Sequence, residues 1–262
     1  MQDRYTGDVG DFGKFGLLRW LCGFQPPADP VLAPGIIWYL VSDESHNRDG
    51  KHIGYLKGPL PIKDQFQCCD SDLYQKLEHL VESGRRRVSA IQSLRILPPS
   101  TTYFGEQQSF ARLGRDERRP SRRLWFERAA AAVQRADLVF IDPDNGLETP
   151  STQAHHRQGA KYAFFEDLRP FIDRGQSLIV YQHLNRSASA SVQAQRRFEQ
   201  IRERLSVETV WAVQFRRGSG RLYVVIPARQ HEALLSERAS QLLLSRWGQQ
   251  GHFQPVITHS GA

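Results

Sequence analysis

Residues 137–146 read Asp137-Leu138-Val139-Phe140-Ile141-Asp142-Pro143-Asp144-Asn145-Gly146. Four consecutive apolar residues, too few for a helix, make a strand buried on both faces, and it ends in Asp-Pro. The fourteen residues before it, Arg123 to Ala136, contain four alanines in succession and read as a helix leading directly into the strand.

Working outward, the alternation repeats. A helix over about 162–174 precedes the strand Ser177-Leu178-Ile179-Val180-Tyr181-Gln182-His183. A helix at about 190–205 precedes two strands, 207–216 and 221–227, joined by Arg217-Gly218-Ser219-Gly220. Upstream, Gly35 to Val41 is another apolar run, and residues 11–22 place Phe15, Leu18, Leu21 and Cys22 at helical spacing. A helix at 72–83 capped by Asp70 or Ser71, a short strand at 87–92 and a final helix at about 230–247 complete the reading. Strands separated by helices pair in parallel through crossovers, and a closing hairpin adds an antiparallel edge. The expected fold is therefore α/β: one doubly wound, Rossmann-like, mostly parallel sheet with helices on both faces and a C-terminal antiparallel hairpin. No repeat or linker divides residues 1–262, so one domain is expected, with an irregular basic insertion at about 98–123.

Composition sets outer limits. At 262 residues, 40% hydrophobic and 24% charged, the chain is neither disordered, collagenous nor a coiled coil. Its net charge of +7 comes mainly from arginine, since only 6 of the 35 basic residues are lysine. Arg112, Arg115, Arg118, Arg119, Arg122 and Arg123 crowd the insertion, as a solvated loop or as one that tracks nucleic-acid phosphates. Cys22, Cys68 and Cys69 make no disulfide framework, and there is no secretory signal or membrane span, so a cytoplasmic protein without a membrane partner is expected. The five tryptophans sit in apolar periodic contexts and read as core.

In open α/β sheets, ligands collect at the carboxyl ends of the strands. Three strand ends here carry dense polar clusters: Asp43, Glu44 and His46 after the first, Asp142, Pro143, Asp144 and Asn145 after the second, and Gln182 and His183 after the third. Near the N-terminus, Gly7, Gly10, Gly13 and Gly16 recur at every third position, with Asp8, Asp11 and Lys14 among them. A ligand loop and a tight packing corner both account for that spacing.

The order of elements, the strand ending in Asp-Pro and the closing hairpin resemble the Rossmann-like class I S-adenosylmethionine-dependent methyltransferases. More narrowly, Gly7-Asp8-Val9-Gly10-Asp11-Phe12-Gly13-Lys14 is similar to the N-terminal motif of the large-subunit ribosomal-RNA adenine-N6 methyltransferases. The resemblance implies that Asp142 and Pro143 begin the catalytic motif, with the carboxylate or the backbone carbonyl accepting a hydrogen bond from the acceptor amine. Asp144 and Asn145 stand where that family has proline and an aromatic ring, which leaves Tyr162, Phe164 or Phe165 to stack on a base. It further implies S-adenosylmethionine as cofactor, with Gly7, Asp8, Asp11, Asp43, Glu44 and His46 on the cofactor side, and Lys14 and His183 beside the catalytic residues. The segment after the first strand, Ser42 to Gly50, has a single glycine where the family has a glycine-rich turn.

Three functions follow from this sequence. One is methyl transfer to an amine or base, on nucleic acid. A second is a Mg-dependent phosphodiesterase or nuclease on the same scaffold, with Asp43, Glu44, Asp142, Asp144 and Glu148 as oxygen ligands and His46 or His183 moving a proton. The third is a non-catalytic nucleic-acid-binding module.

Overall fold

The computed structural model describes residues 1–26, 29–43, 50–110 and 112–256. Its strands are β1 (Pro34–Trp38), β2 (Thr102–Phe104), β3 (Leu138–Asp142), the two-residue β4 (Gly146–Leu147) and β5 (Tyr162–Ala163), β6 (Ser177–His183), β7 (Trp211–Phe215), β8 (Arg221–Ile226) and β9 (Phe253–Pro255). Its α-helices are α1 (Val9–Cys22), α2 (Gly54–Lys57), α3 (Leu60–Gln67), α4 (Ser71–Glu82), α5 (Val88–Ser93), α6 (Arg115–Ala132), α7 (Phe165–Asp173), α8 (Ala190–Leu205), α9 (Glu232–Leu244) and α10 (Arg246–Gln249).

Seven strands form the central sheet in the order β2-β1-β3-β6-β8-β7-β9, and β4 pairs with β5 beside it. The β2-β1, β1-β3 and β3-β6 pairs are parallel, and the β6-β8, β8-β7 and β7-β9 pairs are antiparallel. This is the α/β, Rossmann-like sheet expected. From β1 the chain goes first to β2 on one side and later to β3 on the other, which leaves a crevice at the carboxyl ends of β1 and β3. The last ladder pair there is Trp38 with Asp142.

Side-chain alternation divides the sheet into two apolar layers. Ile36, Trp38, Leu138, Phe140 and Ile179 pack against α1, α4 and α9. Ile37, Val139, Ile141, Leu178 and Val180 pack against α6, α7 and α8. Burial on both faces is why these strands read as unbroken apolar runs.

Helix α1 lies inside the protein, with every residue but Trp20 buried. Its glycines form one helical face, because positions three apart stack along a helix. A Cβ on Gly13 would fall 2.6 Å from the Phe215 ring, and one on Gly16 would fall 2.1 Å from Trp247. For Gly13 and Gly16, then, the glycine spacing is that of a packing corner. The helix begins at Val9, two residues before the expected start, because Asp8 caps it by accepting from the Asp11 amide at 3.0 Å.

Four expectations are corrected. The antiparallel β8 is not an edge strand but is inserted between β6 and β7, and the edge is β9, where Phe253 is buried. Residues 87–92 are helical, since Val88 and Ile91, three apart, share the buried face of α5. Residues 98–123 are not irregular throughout. Strand β2 falls within them, and α6 starts at Arg115, with the Glu117 carboxylate accepting from the Gly114 amide at 2.7 Å. Within that helix Arg122 is buried and ion-paired with Asp167, so it faces no external phosphate. Among the described residues, no helix is long and apolar enough to cross a membrane.

Candidate functional site

Asp142 follows Leu138 and Phe140 at two-residue intervals, so its carboxylate emerges on the α1 face of the sheet. Lys14, one turn into α1, meets it there, with Nζ 2.8 Å from Asp142 Oδ2 and 2.9 Å from Asp11 Oδ1. The other Asp11 oxygen accepts from the Gly7 amide at 2.9 Å. Lys14, Asp11 and Asp142 are all buried. Burial opposes the lysine charge, but Asp11 and Asp142 outweigh it and hold the Lys14 pKa above the ordinary lysine value. Asp11 is shifted upward by burial and by neighbouring Asp8, against the pull of Lys14.

Two residues further on, Asp144 has its own cations. The Met1 amino group is 3.5 Å from Oδ1, Lys161 Nζ is 3.5 Å from Oδ2, and Gln2 Nε2 donates to Oδ2 at 3.0 Å. Despite burial, these groups hold the carboxyl below its usual range. The turn that carries Asp144 and Asn145 is fixed by Gln182, whose Oε1 accepts from the Leu147 amide at 3.0 Å. Gly146, at φ 100°, takes the left-handed backbone this turn requires.

Together these elements wall a cleft of about 390 Å³, within the range of about 300–1,000 Å³ typical of small-molecule sites. Helix α1 contributes Lys14 and Asp11, and its cap contributes Asp8. The end of β3 contributes Asp142, Pro143, Asp144 and Asn145, and β6 contributes His183. Eight of the twelve residues singled out from sequence thus meet at one place.

The other four do not join them. Gly7 sits behind the cleft at φ 83°, against Leu80 and Val81, where its amide orients Asp11. Asp43 is exposed and accepts from the Arg4 amide at 3.2 Å, outside the cleft lining. Glu44 and His46 lie outside the described residues.

Several cleft residues escaped the sequence reading. Tyr5, Tyr181, Lys161, His52 and Arg221 also line it. A signal existed for one of them. Tyr181 lies two residues before His183 on β6 and so shares its face, whereas Arg221 joins that face only through its ladder pairing with His183. The aromatic candidates Phe164 and Phe165 are instead core residues, and Tyr162 is not in the cleft lining; Tyr5 and Tyr181 are the rings the cleft presents.

Of the carboxylates proposed as metal ligands, Asp142 and Asp144 line the cleft, whereas Asp43 and Glu148 do not. Asp142 and Asp144 are neutralised by protein cations, and Glu148 accepts from the Phe165 amide at 2.9 Å, away from the cleft. Among the described residues, no three His, Cys, Asp or Glu side chains are grouped to hold a metal ion.

No family model and no curated protein matches the chain.

Proposed function

We propose that the cleft is the active site of an S-adenosylmethionine-dependent methyltransferase whose acceptor is an amine on a nucleobase. The reading is carried by Asp142, a buried carboxylate at the end of the strand beside the crevice, with one oxygen fixed by Lys14. Among the described residues Lys14 is the hydrogen-bond partner of that side chain. Because Lys14 stays protonated, the carboxylate keeps one orientation, and its second oxygen serves as acceptor for an amine N–H. Such a hydrogen bond aligns the amine lone pair, which is the positioning that an in-line displacement needs. Tyr5 and Tyr181 offer ring surface against which a base can stack.

The donor set suits the cofactor. Of the carboxylates lining the cleft, Asp11, Asp142 and Asp144 are already paired with Lys14, Lys161 and the Met1 amino group, and Asp8 is the one left, among the described residues, to meet a cationic ligand. The turn after β1 departs from the resemblance: the Tyr39 carbonyl accepts from the Met1 amino group, and the Val41 amide donates to the Met1 carbonyl. Asp8 and its neighbours on α1, rather than that turn, are the groups that would hold the ligand. When bound, S-adenosylmethionine supplies an electrophilic methyl group.

A nucleic-acid acceptor is supported by α6. It leads into the amino end of β3, so its first turns lie toward the carboxyl end, and Arg115, Arg119 and Arg123 are exposed there. Calorimetric titration with S-adenosylhomocysteine should give saturable binding that Asp142→Asn retains. Transfer of labelled methyl from S-adenosylmethionine to RNA or DNA should be lost in that variant. Absence of binding by the unaltered protein overturns the reading.

A further inference from the structure

Among the described residues, ion pairs account for the charged side chains of the cleft except at one place. Asp11 and Asp142 share Lys14, while Asp144 has Lys161 and the Met1 amino group. Asp8 and Arg221 remain. Each is 7% exposed, each lines the cleft, and among the described residues neither has an oppositely charged group in ion-pair contact.

Hydrogen bonding leaves both groups with capacity. Asp8 spends Oδ1 on capping α1. Arg221 donates from Nε to the Ser219 carbonyl at 3.2 Å and from Nη2 to Ser219 Oγ at 2.8 Å, which leaves Nη1. The two groups flank one point: a Cβ on Gly10 would lie 1.4 Å from Arg221 Nη1 and 2.9 Å from Asp8 Oδ1. Glycine at position 10 is thus what lets the guanidinium reach the cap of α1. Burial works against the Arg221 charge, but Tyr181, Tyr223 and Asp8 keep its pKa above the ordinary arginine value.

A buried carboxylate and a buried guanidinium side by side, in ion-pair contact neither with each other nor with another charged group among the described residues, match an ammonium and a carboxylate carried on one carbon. We infer that Asp8 and Arg221 form a subsite for the zwitterionic α-amino-acid head of the ligand, Asp8 receiving the ammonium and Arg221 the carboxylate. The inference rests on the methyl-transfer reading for the ligand tested, since S-adenosylmethionine carries such a head. It extends that reading by assigning the residues that discriminate the cofactor from an adenosine lacking one.

Calorimetry on the full chain separates the two ideas. The probes are S-adenosylhomocysteine, 5′-methylthioadenosine, which lacks the amino-acid head, and free L-methionine. The unaltered protein should bind S-adenosylhomocysteine at least about 30-fold more tightly than methylthioadenosine, as charge-assisted hydrogen bonds to two charged groups would give. Asp8→Asn keeps a good helix cap while removing the charge, and should erase most of that difference without weakening methylthioadenosine. Arg221→Gln should do the same, and Arg221→Lys should restore part of it. Equal binding of the two adenosines by the unaltered protein overturns the subsite and leaves the methyl-transfer reading standing. Binding of L-methionine without S-adenosylhomocysteine, lost in Asp8→Asn, keeps the subsite and removes the cofactor. If no probe binds, both fall.

Discussion

Lys14 Nζ and Asp142 Oδ2 lie 2.8 Å apart although 128 positions separate them in the chain. The pair joins the first helix to the central strand and, through Asp11, turns three buried charges into one unit. Removing the lysine leaves two buried carboxylates without a cation. Lys14→Met should therefore cost about 3–5 kcal/mol of stability in denaturant titration. Adding Asp142→Leu to that variant should recover part of the loss. A single-variant cost below about 1 kcal/mol would mean that the pair is hydrated rather than buried.

Asp11 and Asp144 should titrate in opposite directions. Burial and Asp8 lift Asp11 above 3.8, whereas the Met1 amino group, Gln2 and Lys161 hold Asp144 below 3.8 against its burial. Asp144 thus contributes stability that is present above its unfolded pKa and lost as pH falls through the lower folded value. Asp11 has the reverse sign: its ionisation costs stability as pH rises toward its raised value. Carboxyl carbon NMR across acid pH should resolve the two midpoints on either side of 3.8, and Lys161→Met should move that of Asp144 upward. Coincident midpoints would contradict the arrangement.

His252 gives the protein a second pH dependence, remote from the cleft carboxylates. Its ring is buried among Phe12, Phe66, Phe215 and Trp247, with Nε2 2.8 Å from the Gln65 carbonyl and Arg217 Nε 3.1 Å from Nδ1. Burial, aided by Arg217 and opposed by the Gln65 carbonyl, pushes the pKa down to about 4 from 6.5. The unfolded chain therefore binds the proton first. Stability should fall as pH drops from 6.5 to about 4, by up to about 3 kcal/mol, and the imidazole should contribute no slope below that. Denaturation midpoints of the unaltered protein and His252→Gln should diverge in that window and run parallel above it.

The glycines of α1 separate propensity from packing. Alanine in place of a helical glycine ordinarily gains up to about 1 kcal/mol. At Gly54, in α2, a Cβ would meet nothing within 4 Å, and Gly54→Ala should show that gain. At Gly16 the Cβ would fall 2.1 Å from Trp247 Cη2, so Gly16→Ala should lose about 1–3 kcal/mol. Thermal melts of the two variants should shift in opposite directions.

Much of this architecture was legible because long apolar segments carry a periodicity that tertiary context did not override. β6 and α8 fall where the pattern put them, since both pair a full apolar face with clear ends. β2 and β9 were missed because three residues, held by neighbouring strands, have no period of their own. The first half of α6 was misread for another reason. Its arginines resemble a solvated loop, and only the partners of Arg122, Asp167 on α7, Tyr162 in β5 and Gly159 before it, reveal a buried face. In the cleft, strand-end chemistry exposed Asp142 and Asp144. Arg221 was hidden because it stands at the start of an antiparallel strand, whose amino end reaches the cleft edge only through its pairing with His183.

The depth at which α1 is set has a consequence for how the chain reaches its native state. Gly13 and Gly16 wait on Phe215 and Trp247, and the Trp20 indole donates to the Arg238 carbonyl across 218 positions. The helix leaves the ribosome well before the elements that complete it. Until the chain has grown past Trp247, the glycine-lined side of α1 has no cover, and folding must close loops of the longest kind this sequence allows. Translation arrested short of that point should yield a nascent chain that displays its most apolar helix to chaperones.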